Sequence, residues 1–284
     1  MESSTQPVNP LLAYVKQGKP ILNLTSKGKF WPSGSIDSAE NIEVFSLTGQ
    51  DEILLLNTST SLLGSVLAEI IESCVPSIKN VWDMPRIDLD SVLIAIRCAS
   101  YNNRMNMQYV CPQCSTDQTH SVDLLEVSQE ITIPDYTVPF VHNETAVWFR
   151  PYTFRENFQQ LIDQNSKLTV LDQLSDSNVS DEEKQKIINS SLREITRINI
   201  QALANSIDSV MIDNQVKVNN TDQIKEWLLK ADRETFSAVK NAVDQKNNEY
   251  QMPNRSFTCK NSECNHVHTM EIQFNPADFL NNGD

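Results

Sequence analysis

The amino-acid sequence predicts an α+β fold: a mixed domain closed by two cysteine-bearing hairpins, with a mainly helical insertion between them. Three observations carry this expectation. Two cysteine pairs, Cys111 with Cys114 and Cys259 with Cys264, lie far apart in the chain but in similar surroundings. After each pair the residues are polar and apolar by turns, as in a half-buried strand. Between the pairs, from Thr153 to Asn248, apolar residues recur at helical spacing behind capping signals.

In chain order, residues 1–24 read as an N-terminal tail, and a domain of residues 25–150 follows. ILNLTSKGKFWPSGSID reads as a loop with a turn at Trp31-Pro32-Ser33-Gly34. Asn41 to Phe45 is strand-like. Thr48 offers an N-cap, with Asp51 and Glu52 in the acidic first turn of a helix through ILLLN. A helix from Ser61 to Cys74 carries Leu62, Leu63, Val66, Leu67, Ile70 and Ile71, and Pro76 ends it. A further helix from Asp88 to Tyr101 presents Leu89, Val92, Leu93 and Ile96 on one face. Asp88 and Asp90 suit its positive N-terminal end and Arg97 suits its C-terminal end. The next strand runs into the first cysteine pair.

ITIPDYTVPF is an extended, proline-broken stretch, and Thr145 to Phe149 reads as a strand. Residues 151–250 form the mainly helical insertion. Thr153 with Glu156 is a capping box for a helix to about Ser166, and Ser180 with Glu183 opens a second helix through Ser209. That second helix has the stripe Ile187, Ile188, Leu192, Ile195, Ile198 and Leu203. MIDNQVKV fits a hairpin turning near Asp213-Asn214, and Thr221–Leu229 and Asp232–Val243 are the last helices. Residues 251–284 hold the second cysteine hairpin and a C-terminal tail.

Cysteines that face a reducing compartment are more often ligands than disulfide partners, and MESSTQPVNP has neither the basic start nor the apolar run of an export signal. Cys74 and Cys98 each stand alone in an apolar helix and read as buried thiols. The paired cysteines differ. A C-x2-C or C-x4-C turn directs two sulfurs outward, and two such turns face to face supply four tetrahedral ligands, which suits zinc. The expected site is a closed, structural Zn2+ held by Cys111, Cys114, Cys259 and Cys264 in a zinc ribbon. Ligation by His120, His266 or His268 in place of one cysteine stays open at this point. A catalytic zinc would keep an open position, and four cysteines leave none.

Composition narrows the function. The chain has 37 acidic against 23 basic residues, a net charge of −14, and no Lys/Arg run to follow a phosphate backbone, so nucleic acid is not an expected partner. None of the six glycines has the spacing of a dinucleotide or phosphate-binding loop. No stretch is long and apolar enough for a membrane span. Nucleophile elbows and H-E-x-x-H are absent, and three of the four histidines crowd the cysteine turns. His142 reads as an ordinary strand or loop histidine. The sequence therefore predicts no enzyme and, given its acidity, protein partners.

WPSG, then LTGQDEILLLN, then the helix to Cys74, then DSVLIAIRCASY running into VCPQC form an ordered set. Over roughly residues 25 to 127 this set resembles the baseplate hub proteins of T-even-like contractile-tailed phages. The resemblance implies a structural or assembly protein of the tail baseplate, made in the host cytoplasm and destined for the virion tail. It implies other hub proteins or the tape-measure protein as partners. Candidate contact surfaces are the turn around Trp31 and the face from Ile187 to Leu203. The competing reading, suggested by a ribbon alone, is a zinc-ribbon regulator or nucleic-acid accessory factor.

Overall fold

A computed structural model describes residues 18–57, 62–175, 180–213, 216–272, 274 and 276–281. The expected helix start at Ser61, the turn residue Asn214 and most of the N-terminal tail lie outside these residues.

The chain is mixed α and β. It begins with strand β1 (Lys19–Leu22), paired antiparallel with β2 (Ile42–Val44). Helix α1 (Gly49–Leu56) follows its capping box: Thr48 Oγ1 accepts from the Asp51 N–H, and the Asp51 carboxylate accepts from the Thr48 N–H. Helices α2 (Leu63–Cys74) and α3 (Arg86–Ser100) come next. Strands β3 (Arg104–Val110) and β4 (Asp117–Asp123) form the first hairpin, and α4 (Leu124–Gln129) closes this part.

Strands β5 (Phe140–His142) and β6 (Thr145–Phe149) precede the long helices α5 (Phe154–Ser175) and α6 (Asp181–Asn205). Strands β7 (Ile207–Ile212) and β8 (Val216–Val218) complete an antiparallel sheet in the order β5-β6-β7-β8. Helices α7 (Thr221–Lys230) and α8 (Arg233–Glu249) lead to the second hairpin, β9 (Asn254–Thr258) with β10 (Val267–Glu271), and then to α9 (Pro276–Asn281).

Two hydrophobic cores result. The first gathers β1, β2, α1 to α4, the start of α5, both hairpins and α9, so Leu22 and Leu280 belong to one cluster. The second gathers Val147 and Phe149 of β6, Ile207 and Val210 of β7, and buried residues of α6, α7 and α8. A short bridge between Pro85 and Thr153 joins the two regions, with the Arg86 N–H on the Tyr152 carbonyl and the Phe154 N–H on the Met84 carbonyl, both at 2.7 Å. Helix α5 starts there with the expected box, in which the Glu156 carboxylate also takes two hydrogen bonds from Arg150 at 3.0 and 2.6 Å.

Several local expectations are corrected. Lys19–Leu22 is a strand, because Leu22 is buried in register with Ile42, a pairing of distant segments that local periodicity does not reveal. Helix α3 starts at Arg86 and has no solvent face: Ile87 through Ala99 are buried without interruption. Its amphipathic reading fails because other elements surround it. The alternation after His120 stops at Asp123, whose carboxylate caps α4 by accepting from the Leu125 and Glu126 N–H groups. Helix α5 runs on to Ser175, past the expected end near Ser166. Helix α6 ends at Asn205, not Ser209, because Ile207 and Ser209 pair with Phe149 and Trp148. The C-terminal tail contains α9, whose Phe279 and Leu280 are buried in the first core.

Buried polar groups of α3 have partners from elsewhere in the chain. The Asp88 carboxylate, fully buried, accepts from the Ser26 N–H and hydroxyl at 2.6 Å each and from the Trp31 indole N–H at 2.8 Å. Burial raises its pKa above the ordinary carboxylate value, and these donors oppose the rise. The turn around Trp31 is thus tied to α3, and Trp31 packs against the core instead of standing free. Asp90 accepts from the Tyr250 hydroxyl at 2.5 Å and pairs with Arg86. Cys74 and Cys98 are buried thiols as expected, pushed up to about 12 and about 11 by desolvation.

Candidate metal centre

Each hairpin ends in a turn built on the same plan. In the first, the Cys111 N–H donates to the Thr116 carbonyl and the Ser115 N–H donates back to the Cys111 carbonyl, both at 2.9 Å. In the second, the Cys259 N–H donates to the His266 carbonyl at 2.8 Å, and the Asn265 N–H to the Asn261 carbonyl at 3.1 Å. The residue after the second cysteine of each turn, Ser115 or Asn265, has left-handed backbone with φ of +53° and +47°. That reversal brings the chain back into the return strand. Asn takes this conformation readily, whereas Ser bears a steric cost.

The turns face one another. The Sγ atoms of Cys111, Cys114, Cys259 and Cys264 all lie within 4.8 Å of one another, with Cys111 to Cys264 at 3.9 Å and Cys114 to Cys259 at 3.6 Å. A disulfide would need about 2.05 Å, and all four thiols are free. Four sulfurs on a tetrahedron around a metal with bonds of about 2.3 Å stand about 3.8 Å apart. The two observed spacings fall on either side of that value. Among the described residues, the metal-capable group found is these four cysteines, with no histidine in it.

Electrostatics point the same way. Hydrogen bonds from Thr116 hold the Cys114 thiol down at about 6, while burial pushes the Cys259 thiol up to about 12. Four thiolates at this separation repel strongly, and a divalent, sulfur-preferring cation is what would let all of them deprotonate together.

Below the sulfurs, an aromatic layer joins the hairpins. Tyr109 lies against His120 and His268, with ring centroids 5.7 and 5.3 Å away, and His120 stacks on Phe257 at 4.7 Å. Such contacts add to ordinary burial. Burial lowers the His120 pKa, and the Lys260 charge lowers it further. His120 and His268 therefore act as packing rings between the hairpins, and His266 lends its carbonyl to the turn. His142 lies on β5, beside Phe140.

Polar links reinforce the layer. The Lys260 N–H donates to the buried Gln118 side chain at 2.9 Å, and Lys260 Nζ reaches the Thr119 carbonyl. Arg255 forks onto Glu130 at 2.7 and 3.1 Å, and Thr132 and Gln251 exchange backbone hydrogen bonds at 3.0 Å. Sequence reading gives Tyr109 and Phe257 only as aromatic lead-ins to the cysteine pairs, and it missed Gln118. The inward-facing alternation of β3, with Met105, Met107 and Tyr109 on one side, is the signal that points to Tyr109.

The candidate contact face on α6 is divided. Leu203 is buried in the second core, Ile187, Ile188, Ile195 and Ile198 are half-buried, and Leu192 is exposed. Among the described residues, no helix is long and apolar enough to cross a membrane.

Comparison with known proteins extends the earlier resemblance along the chain. The family model described as T4 bacteriophage base plate protein matches residues 23–281. Neither a curated protein nor a solved structure gives a significant match. The matched span takes in most of the first core, the second core and both cysteine turns, and the chain belongs to the T4 bacteriophage base plate protein family.

Proposed function

We propose that this chain is a non-enzymatic structural or assembly protein of the baseplate hub, which binds other hub proteins or the tape-measure protein. In this reading one Zn2+, held by Cys111, Cys114, Cys259 and Cys264, closes the two hairpins into a zinc ribbon. The single observation that carries the metal is the meeting, within 4.8 Å, of four free sulfurs from two turns far apart in the chain, two of whose spacings are 3.9 and 3.6 Å. With four protein sulfurs the metal has no open position, so its role is to hold the fold. Baseplate membership supports a place in the virion tail, and synthesis in the host cytoplasm belongs to the same reading.

The two cores support a division of labour. We assign the first core to a domain made from both ends of the chain and the second to an insertion between the hairpins. Because Val147 and Phe149 belong to the second core, that insertion begins ahead of residue 151.

The test is an affinity pull-down of the tagged chain from phage-infected cells after nuclease treatment, read by mass spectrometry. Recovery of hub or tape-measure proteins is the expected result. Recovery of polymerase or nucleic-acid machinery without tail proteins would overturn the reading.

A further inference from the structure

Helix α6 carries cations that the sequence scatters and the helix gathers. Lys186, Arg193 and Arg197 are seven and four residues apart, which puts them within about 40° of one another around the axis. Along the axis the intervals are about 10 and 6 Å. Two adjoining grooves share Arg197: one is lined by Lys186, Arg193 and Arg197, the other by Arg197 with Arg155 of α5 and Lys225 of α7.

The flanking cations are held in place. Lys225 Nζ donates to Gln201 Oε1 at 2.6 Å, and the Arg155 guanidinium lies 5.3 Å from the centre of the Trp82 ring. None of the five forms an ion pair among the described residues. The nearby acid Glu156 is already taken by Arg150. On a chain of net charge −14, five cations against the three acids Glu156, Asp163 and Glu194 in the lining of the two grooves make a local reversal of sign.

We propose that this strip is a docking groove for the acidic face of a helix from another tail protein. The proposal rests on the reading that the chain binds such proteins, and it names the chemistry of one partner. Carboxylates at helical i, i+7 and i+11 spacing match the observed intervals. A protein fits better than a nucleic acid. Among the described residues no aromatic ring lines either groove for bases to stack on, and the acidic surface beyond the grooves repels a long polyphosphate. Charge complementarity of this kind sets partner choice and association rate and is weakened by salt.

The test uses the full chain and a fluorescent alanine-based helical peptide with glutamates along one face. Its lysine counterpart and a duplex DNA oligonucleotide serve as alternative ligands. The acidic peptide should bind at low salt, and Arg193→Gln with Arg197→Gln should weaken binding by about tenfold or more. Arg193→Lys with Arg197→Lys should retain most of it, with helicity followed by circular dichroism. Unchanged binding by the glutamine variant, tighter binding of DNA, or concentration-dependent self-association that the variant abolishes would each overturn the proposal. In the infected-cell pull-down, parent and variant recovering equal tail proteins defeats this inference alone. A parent that recovers none defeats the proposed function.

Discussion

The two cores are built on opposite principles. The second is local: its buried residues fall between Val147 and Val243, on a sheet and helices that follow one another in the chain. The first is remote: it joins Leu22 to Leu280 and Tyr109 to Phe257, across the whole length of the second. Closing so long a loop carries an entropic cost, which on the proposed division a compact insert would lessen. What remains is met by buried apolar surface, the aromatic layer and, on the proposed reading, a metal clamp at the hairpin tips. The comparison teaches where metal dependence should lie. Zinc should matter to the first core and little to the second.

The largest break follows from removing a ligand. A structural zinc contributes on the order of 10 kcal/mol to folding, so Cys111→Ser should leave the first core without stable structure. Hydrogen exchange should show the hairpins, α9 and the start of α3 unprotected, with Leu228 and Val239 still protected. Uniform loss of protection in both cores would show that they are one cooperative unit.

The converse substitution is smaller. Leu228, buried in the second core, should cost about 3 kcal/mol as Leu228→Ala, and zinc content should not change. Within the first core, a Cβ on Gly64 of α2 would sit 2.7 Å from the Phe158 ring, so Gly64→Val should cost about 2 kcal/mol by overpacking. Phe158→Ala in the same chain should relieve part of that cost, measured by chemical denaturation.

Asp88→Asn should cost about 1–3 kcal/mol, because the amide places hydrogens where three donors converge. The pH dependence has a definite sign. Burial raises the folded pKa of Asp88, so the folded carboxyl holds its proton more tightly than the unfolded one. Stability from this site therefore falls as pH rises from the unfolded value of about 3.9 through the raised folded value. Denaturation midpoints across that window should fall more for the parent than for Asp88→Asn. The smallest effect belongs to the exposed pair Arg255 and Glu130: Arg255→Ala should cost under about 1 kcal/mol and lose even that at high salt.

Much of the fold was legible because its signals are local. Thr48 with Asp51 and Thr153 with Glu156 announce helix starts within four residues, and both capping boxes are formed. The four cysteines were legible for the same reason, since each pair is a short turn. Their meeting was inferred from similarity of surroundings, and the geometry now gives it as distances. What escaped depends on distant partners. Trp31 looked like an exposed turn until Asp88 took its indole N–H. The strand at Lys19–Leu22 needs β2, and α9 needs α3, where the Tyr101 hydroxyl donates to the Leu280 carbonyl at 3.2 Å. His120 and His268 looked like possible ligands by proximity in sequence, while strand register turns them into the aromatic layer.

The most direct test of the account is metal content and cobalt spectroscopy on the purified full chain and its four single Cys→Ser variants at positions 111, 114, 259 and 264. The account predicts one zinc per chain. On exchange, cobalt should show the charge-transfer and visible bands of a four-thiolate tetrahedral site, lost or altered in each variant. A chain that is folded without metal, or a cobalt spectrum unchanged when any one of these cysteines is replaced, would contradict it.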